Sequence, residues 1–367
     1  VETDSKLIGP GGLFFARPGE VTDGHKFVGD ALAKGAIAAV VQRELAEPIN
    51  QIIVENSEEA LGLLAKWLVG ELKAKGKLKV VGITGSNGKT TTKNMLREIL
   101  SRAGSTIAPI ESFNNRVGAP ISILRADLQT QFLVVEMGAE GIGSIEYLAK
   151  MADPDIGIIL KVGLAHVGEF GGIDVTAKIK SELASSLGSD AKVVLNADDS
   201  YVRDMRKVTE AAVSWFGTSE EASYRASNVS TMVDGTSYTM HWPDGDEQTI
   251  RLNILGDVHI MNALAASCAA HLLGVSKQVI AEALSSMQLA ERWRMQRVVR
   301  ADGVTIINDA YNASPDSMKA ALQTLAQLGR YGSRTIAVLG HMAELGDLSV
   351  TEHDSVGRLV VLSLIHI

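Results

Sequence analysis

Residues 80–96 read VVGITGSNGKTTTKNML. A short apolar run enters a glycine-bearing turn, and Lys-Thr-Thr-Thr opens a segment with helical spacing. Val80, Val81 and Ile83 are expected to form a buried strand, and Met95, Leu96, Ile99 and Leu100 one face of a helix. Between them Gly85 and Gly88 let backbone N–H groups turn toward one point, and the helix adds the positive end of its dipole. Lys89 can reach outer phosphates and the Thr90 hydroxyl can ligate Mg²⁺. The pattern points to a nucleoside triphosphate site. The general phosphate-loop pattern wants Gly at position 83, and this chain has Ile83. The alternative is a tight strand–helix turn with a surface lysine.

Composition sets limits around that motif. With 367 residues, 46% of them hydrophobic and 21% charged, the chain is long enough for two or three folded, soluble domains. A net charge of −8 and a pI near 5.6 argue against broad nucleic-acid binding. An anionic ligand therefore needs a local positive site. Cys268 is the only cysteine, so no intrachain disulfide is possible and a reducing cytoplasm fits. No apolar run reaches membrane-spanning length, so no membrane insertion is expected. The chain starts at Val1 and ends in LVVLSLIHI, which reads as a strand cut short or as foreign sequence.

Three blocks are expected: 1–76, 77–298 and 299–367. In the first, LFFARPGE reads as a strand and turn, DGHKF as a turn, FVGDALAKGA as a short helix and AIAAVVQ as a strand. The lysine-rich GELKAKGKLK is read as the crossing into the second block. There, VVGIT, FLVVEMG, IGIIL and VVLN alternate with helical patterns, which implies a parallel sheet covered on both faces. VDGTSYTMHWPDGDEQTIRLNIL carries two Asp-Gly turns between alternating segments and reads as antiparallel hairpins. VHIMNALAASCAAHLL and KQVIAEALSSM read as helices. The third block starts another α/β unit. VTIIND reads as a strand, SPDSMKAALQTLAQL as a helix capped by Ser314 with Pro315 in its first turn, and RTIAVLG as a strand. The fold class is α/β, with a central parallel-sheet phosphate-loop domain.

Four further places can carry chemistry. Glu136 ends the strand FLVVE, and open parallel sheets bind ligands beyond the carboxyl ends of their strands. A carboxylate there suits Mg²⁺, with a solvated strand-end Glu as the alternative. His166, in GLAHVGEFGG, can ligate metal or touch substrate, although a lone His is more often structural. In VTAKIKSELASSL, Val175, Ile179, Leu183 and Leu187 share a helix face flanked by Lys178 and Lys180. The ordinary reading is two solvated lysines; the sharper one buries one of them near the site with a lowered pKa. Asn308, Asp309, Tyr311 and Asn312 form either a capped turn or a nucleotide-facing edge. No Ser/His/Asp or Cys/His nucleophile constellation and no zinc spacing stands out.

Together these motifs resemble the Mur ligase family over nearly the whole chain. TGSNGKTTT (84–92) is similar to the family's ATP loop, which commonly lacks the first glycine. SFNNRVGAP, EMGA, GLAHVGEFGG and KSE look like successive motifs of the central domain. DSKLIGPGGLFFARPGEVTDGHKF looks like a nucleotide-sugar-binding first domain. AYNASPDSMKAAL is the most selective stretch. It resembles the D-alanyl-D-alanine-adding members, whereas most sister enzymes carry an Ala-His-(Thr or Asn)-Pro version; VLGHMAELG points the same way.

The resemblance implies three domains, for UDP-substrate, for ATP, and a Rossmann-like third that is incomplete here. The extreme N-terminus is also expected to be missing, and such a piece can itself be inactive. ATP is implied at Thr84, Gly85, Ser86, Asn87, Gly88, Lys89, Thr90 and Thr91, with Asn262, Arg294 and Asp309 facing the nucleotide. Mg²⁺ is implied at Thr90, Glu136, His166 and Lys180, the last being the carbamylated lysine of KSE. Asn115 is implied near the reacting end of the substrate, so the implied catalytic set is Lys89, His166, Lys180 and Asn115. The implied substrates are UDP-MurNAc-tripeptide and D-Ala-D-Ala, and a cytoplasmic monomer is expected. Four positions depart from the family pattern: Lys6 replaces an Arg, Lys161 an Asn, Val258 a His and His341 an Asp. The rivals are a diaminopimelate- or lysine-adding ligase, a folylpolyglutamate synthase, a P-loop switch or transport ATPase, and a non-catalytic fragment.

Overall fold

The computed structural model describes residues 1–19, 22–109, 112–165, 167–232, 234–287, 293–329 and 334–363. The first block is a small parallel sheet. Its strands β1 (Leu13–Phe15), β2 (Ala38–Val41) and β3 (Asn50–Ile53) lie in that order, with α1 (Val28–Ala33) connecting the first two. Phe14, Val28, Ala39 and Val41 close its core. DGHKF is a 3₁₀ turn, and His25 is buried there between the Asp23 carboxylate (2.6 Å) and the backbone N–H of Gln42 (2.8 Å). The strand β3 and the helix after it were not read from the sequence.

That helix, α2 (Ser57–Lys75), is capped by Asn56. GELKAK, read as a crossing, is its last turns. Ala65, Val69 and Leu72 keep helical spacing and bury against the central sheet, while Leu61 packs on Phe15 and Val40 of the first block. The lysines fall on the outer side, at the end where cations complement the helix dipole. Lys73 pairs there with Asp153 at 2.8 Å.

The second block runs β4 (Lys79–Thr84), α3 (Lys89–Leu100), β5 (Thr106–Ile107), α4 (Gly118–Ile123), β6 (Phe132–Glu136), α5 (Ser144–Ala152), β7 (Ile156–Ile159), α6 (Val167–Phe170) and α7 (Ile173–Ser185). It continues with β8 (Lys192–Asn196), α8 (Ser200–Asp204), β9 (Ala212–Gly217), β10 (Tyr224–Met232), β11 (Gly235–His241), β12 (Glu247–Leu252), α9 (Val258–Leu272) and α10 (Lys277–Ser286). All nine strands share one sheet, in the order β12-β11-β10-β9-β8-β7-β4-β6-β5. Strands β5 to β10 are parallel; β11 and β12 add the antiparallel hairpins. Period-two alternation splits β4 between two cores: Val81 and Ile83 face α3, α9 and α10, and Val80 faces α2, α4, α5 and α7. The chain winds to β6 on one side of β4 and to β7 on the other. This is the switch point at which such sheets open a crevice.

In the third block β13 (Gln296–Val299) and β14 (Thr305–Asn308) pair antiparallel, followed by α11 (Pro315–Gly329) and α12 (Ser349–Leu362). Two expectations fail here. Residues 334–340 (RTIAVLG) form no strand: Ile336 alone makes a β-bridge, and Val338 is 94% exposed. LVVL is not a cut-off strand either. Val356 and Val360 sit four apart on α12 and bury with Leu322, so the helical spacing of the whole segment overrides the β-propensity of its valines. Residues 364–367, the end of the terminal apolar stretch, lie outside the described residues.

Candidate active site

The two loop glycines are required by their surroundings. Gly85 has φ of 152° and Gly88 of 86°. A Cβ would lie 2.9 Å from the Leu160 side chain at the first and 2.3 Å from Asn262 Oδ1 at the second. Helix α3 starts directly at Lys89. The Lys89 ammonium folds over the loop, donating to the Gly85 carbonyl (2.8 Å) and the Ser86 carbonyl (3.4 Å). Burial holds its pKa below the ordinary lysine value; Glu136 pulls the other way, and Arg294 adds to the lowering. Asn87 Nδ2 is buried and has no hydrogen-bond partner among the described residues, a donor left for a ligand. Thr84 donates its hydroxyl to the Met137 carbonyl (3.0 Å), tying β4 to the end of β6. Thr91 is buried in the first turn of α3.

Glu136 is buried rather than solvated, at 1% exposure. Its Oε1 lies 3.3 Å from the Thr90 hydroxyl and accepts from Asn114 Nδ2 at 2.8 Å. Its Oε2 lies 3.4 Å from the ammonium of Lys93, itself fully buried. Ser112 Oγ is 3.1 Å from Thr90 Oγ1. Hydroxyl and carboxylate oxygens converging beside a phosphate loop are the hard donors that Mg²⁺ takes. The described residues contain no group of three or more His, Cys, Asp or Glu side chains able to hold a metal. A set of one carboxylate and one hydroxyl still fits Mg²⁺, which takes its remaining ligands from phosphates and water. His166 lies outside the described residues.

Helix α7 separates the two lysines of its motif. Thr176, Ile179, Lys180, Leu183 and Ala184 form its buried face. Lys178 is exposed, whereas Lys180 is 3% exposed. The reading of two solvated lysines therefore holds for Lys178 and fails for Lys180. Burial, then the positive charge of Lys89, brings Lys180 down to about 7, against a smaller upward pull from Glu182. Glu182 itself accepts from the N–H groups of Gly143 (2.7 Å), Ile145 (3.1 Å) and Glu146 (3.1 Å), capping α5 from outside.

A pH signature follows. The folded pKa of Lys180 lies below its unfolded value, so between about pH 7 and 10.5 the unfolded chain binds the extra proton and stability rises with pH. The slope from this group is at most about 1.4 kcal/mol per pH unit, and below pH 7 the full burial cost remains. In CO₂-free buffer, urea unfolding of Lys180→Met is expected to lose this slope and to show higher stability at pH 7. An unchanged slope would place Lys180 in water.

The remaining expected site residues divide. Asn262 lies against the loop and accepts from Thr92 Oγ1 at 3.3 Å. The Arg294 guanidinium stacks 4.0 Å over the Tyr311 ring. Asp309 accepts from Met295 N–H at 3.0 Å, and burial raises its pKa. It thereby pins the segment that carries Arg294. Asn308 and Asn312 only cap their own turn, at Ala310 (3.2 Å) and Ala313 (2.8 Å). Asn115 caps α4 through the N–H groups of Val117 (3.2 Å) and Gly118 (2.9 Å). It opens onto a cavity of about 480 Å³ with Arg17, Glu58, Phe113, Arg116 and Glu140. Its neighbour Asn114, not Asn115, reaches Glu136. A second cavity of about 480 Å³ is lined by Lys161, Asn196, Asp257, Met261 and Gln327. Lys93, Asn114, Ser112 and Glu182 were missed in the sequence. Each carried a signal: Lys93 lies one helical turn from Lys89 and Thr90, Ser112 and Asn114 lie in SFNNRVGAP, and Glu182 lies in KSE.

Residues 83–270 match the Mur ligase middle domain, residues 293–365 the Mur ligase glutamate ligase domain, and residues 1–67 the Mur ligase family catalytic domain. The UDP-N-acetylmuramoyl-tripeptide–D-alanyl-D-alanine ligase of Mycobacterium bovis is 41% identical over 98% of this chain and 75% of its own length. The chain belongs to the Mur ligase family. Among solved structures, MurF from Acinetobacter baumannii superposes on this Mur ligase with a TM-score of 0.90 at 34% identity, covering 98% of this chain and 78% of that one. MurF ligase from Thermotoga maritima in complex with ADP gives 0.86 at 30% identity, covering 98% and 81%.

One departure of this Mur ligase from the family pattern has a visible partner. Lys161, at the end of β7, forms a 2.6 Å ion pair with Asp316 in the first turn of α11. At another, Val258 is 41% exposed, and the adjacent His259 is buried with neither ring nitrogen hydrogen-bonded among the described residues. Burial brings its pKa down to about 4, with a smaller push from Arg294, so it is neutral at pH 7. At a third, His341 stacks on His353 with ring centroids 5.0 Å apart.

Proposed function

We propose that this Mur ligase joins D-Ala-D-Ala to UDP-MurNAc-tripeptide at the expense of ATP, in peptidoglycan precursor synthesis; the Mycobacterium bovis relative is named for that pair of substrates. The γ-phosphoryl group of ATP passes to the terminal carboxylate of the tripeptide and ADP leaves. The D-Ala-D-Ala amine then displaces phosphate from the acyl phosphate, losing a proton as the amide forms. The observation that carries this reading is the convergence of Lys89, Thr90, Glu136 and Lys180 at the switch point of a Mur ligase sheet.

The chemical problem is charge. A carboxylate must approach a polyanionic phosphate chain. Lys89 and the N-terminus of α3 offset that repulsion, and Gly85 and Gly88 let the backbone close on the phosphates. Thr90, Glu136, His166 and Lys180 are the residues that would hold Mg²⁺. When bound, Mg²⁺ supplies charge neutralisation and polarises the transferring group. Lys180, with a pKa near 7, is available as a neutral amine above that pH. Combination with CO₂ gives a carbamate and one proton, turning a cation into an anion where a metal ligand is wanted.

The three blocks then divide the work. Residues 1–76 would hold the UDP-substrate, whose peptide end would reach Asn115 through the cavity bordered by Arg17 and Arg116. Residues 77–298 would hold ATP, with its base in the cavity beside Lys161 and Met261. Residues 299–367 would bring Arg294 and Asp309 to the nucleotide. A cytoplasmic monomer completes the reading. No described helix is long and apolar enough to cross a membrane.

Phosphate release from ATP, measured with a panel of amines and UDP-MurNAc-tripeptide, tests this against its rivals. D-Ala-D-Ala is expected to support turnover, and lysine, diaminopimelate and glutamate are not. Turnover without peptide and amine would instead identify a switch or transport ATPase.

A further inference from the structure

We propose that Asp316 is a positioning residue that ties the phosphate loop to the third block; the inference rests on the nucleotide reading above. Asp316 stands in the first turn of α11, where a carboxylate is favoured by the helix dipole. It does not turn back to cap its own helix. Its Oδ1 takes the Lys161 ammonium at 2.6 Å, and its Oδ2 takes the Leu164 N–H at 3.1 Å. A Cβ on Gly163 would sit 2.4 Å from the same Oδ2, so the carboxylate lies flush on the backbone of residues 161–164.

The other side of that segment is held by the phosphate loop. Ser86 N–H donates to the Lys161 carbonyl at 2.8 Å. Gly163 N–H donates to Ser86 Oγ at 2.9 Å, and Ser86 Oγ lies 3.2 Å from the Gly163 carbonyl. Four residues are thus clamped between Ser86, in the loop, and Asp316, in the third block. A second strut follows at Gly168, whose N–H donates to the Glu344 carbonyl at 3.2 Å. A ligand that draws in the Ser86 loop moves or stiffens this segment, and Asp316 carries the change to α11.

The two bonds of Asp316 are unequal. Lys161 is 46% exposed in its pair, and such pairs contribute little alone. The bond to the Leu164 backbone sets the register. The coupling is reciprocal: α11 docking strengthens nucleotide binding as much as nucleotide strengthens docking.

The test uses the 367-residue chain with ADP and Mg²⁺ as the probe. Calorimetry gives the ADP affinity, and hydrogen exchange gives ADP-induced protection at residues 161–165 and 314–319. In Asp316→Ala, ADP affinity is expected to fall about 5- to 20-fold. ADP is also expected to stop protecting 314–319, with the melting temperature within a few degrees of wild type. Asp316→Asn keeps an acceptor for Leu164 and is expected to lose less; it decides the matter if the alanine variant does not fold. A merely structural role would lower the melting temperature and leave ADP-induced protection in place, which overturns the proposal. So does an Asp316→Ala chain with wild-type affinity. If the wild-type chain binds ADP and only the variants disagree, Asp316 alone is misassigned. If the wild-type chain binds no ADP, the nucleotide reading fails and this inference with it.

Discussion

Lys89→Ala is expected to lower ligase turnover by roughly 10³-fold or more and to leave the thermal midpoint almost unchanged. The size follows from position. Lys89 begins α3, so its ammonium adds to the positive end of the helix and to the loop N–H groups at one point. The ammonium folds onto the Gly85 and Ser86 carbonyls, a pose it can leave when phosphate oxygens compete. The stability effect is small because burial already works against the charged form, so the removed group was not a stabiliser. The assay belongs in a form that spans the whole length of the relatives. A variant that keeps most of its turnover would sink the assignment of this loop to ATP.

Lys180→Ala is expected to be inactive, and Lys178→Ala nearly silent, though the two lysines stand two positions apart on one helix. Lys180 is buried, near enough to Lys89 to feel its charge, and Lys178 is exposed. A carbamate needs a neutral amine and dissolved CO₂. With a pKa near 7, activity is expected to fall as the pH drops through that value, and to fall at fixed pH when bicarbonate is removed. A small carboxylic acid is expected to restore part of the activity of Lys180→Ala by replacing the lost anion. An essential Lys178 with a dispensable Lys180 would mean that the register assigned to this motif is wrong. If neither matters, the metal site is built without α7.

The central block was legible because its signals are local and repeated. An apolar run before Gly85, helical spacing after Lys89 and two Asp-Gly turns each specify an element within a few residues. The depth of the site was not legible in the same way. Glu136 at a strand end reads equally as solvated or buried until the neighbouring Lys93 and Asn114 close over it. Lys180 reads as solvated because helical spacing cannot say what lies opposite. GELKAK has the lysine content of a linker, and only the burial of Val69 and Leu72 at helical spacing makes it the end of α2. RTIAVLG has strand composition, but a strand needs a neighbour for its backbone groups. Asp316 looks like an ordinary first-turn acid, and only the fold brings it to Leu164.

The most direct measurement is the mass of the product formed when a form spanning the whole length of the relatives is given ATP, UDP-MurNAc-tripeptide and D-Ala-D-Ala. The expected result is UDP-MurNAc-pentapeptide, heavier than the starting tripeptide by one D-Ala-D-Ala less one water, with one ADP and one phosphate per product. ADP formed without that product, or an equal product with lysine or diaminopimelate as the amine, would contradict the account.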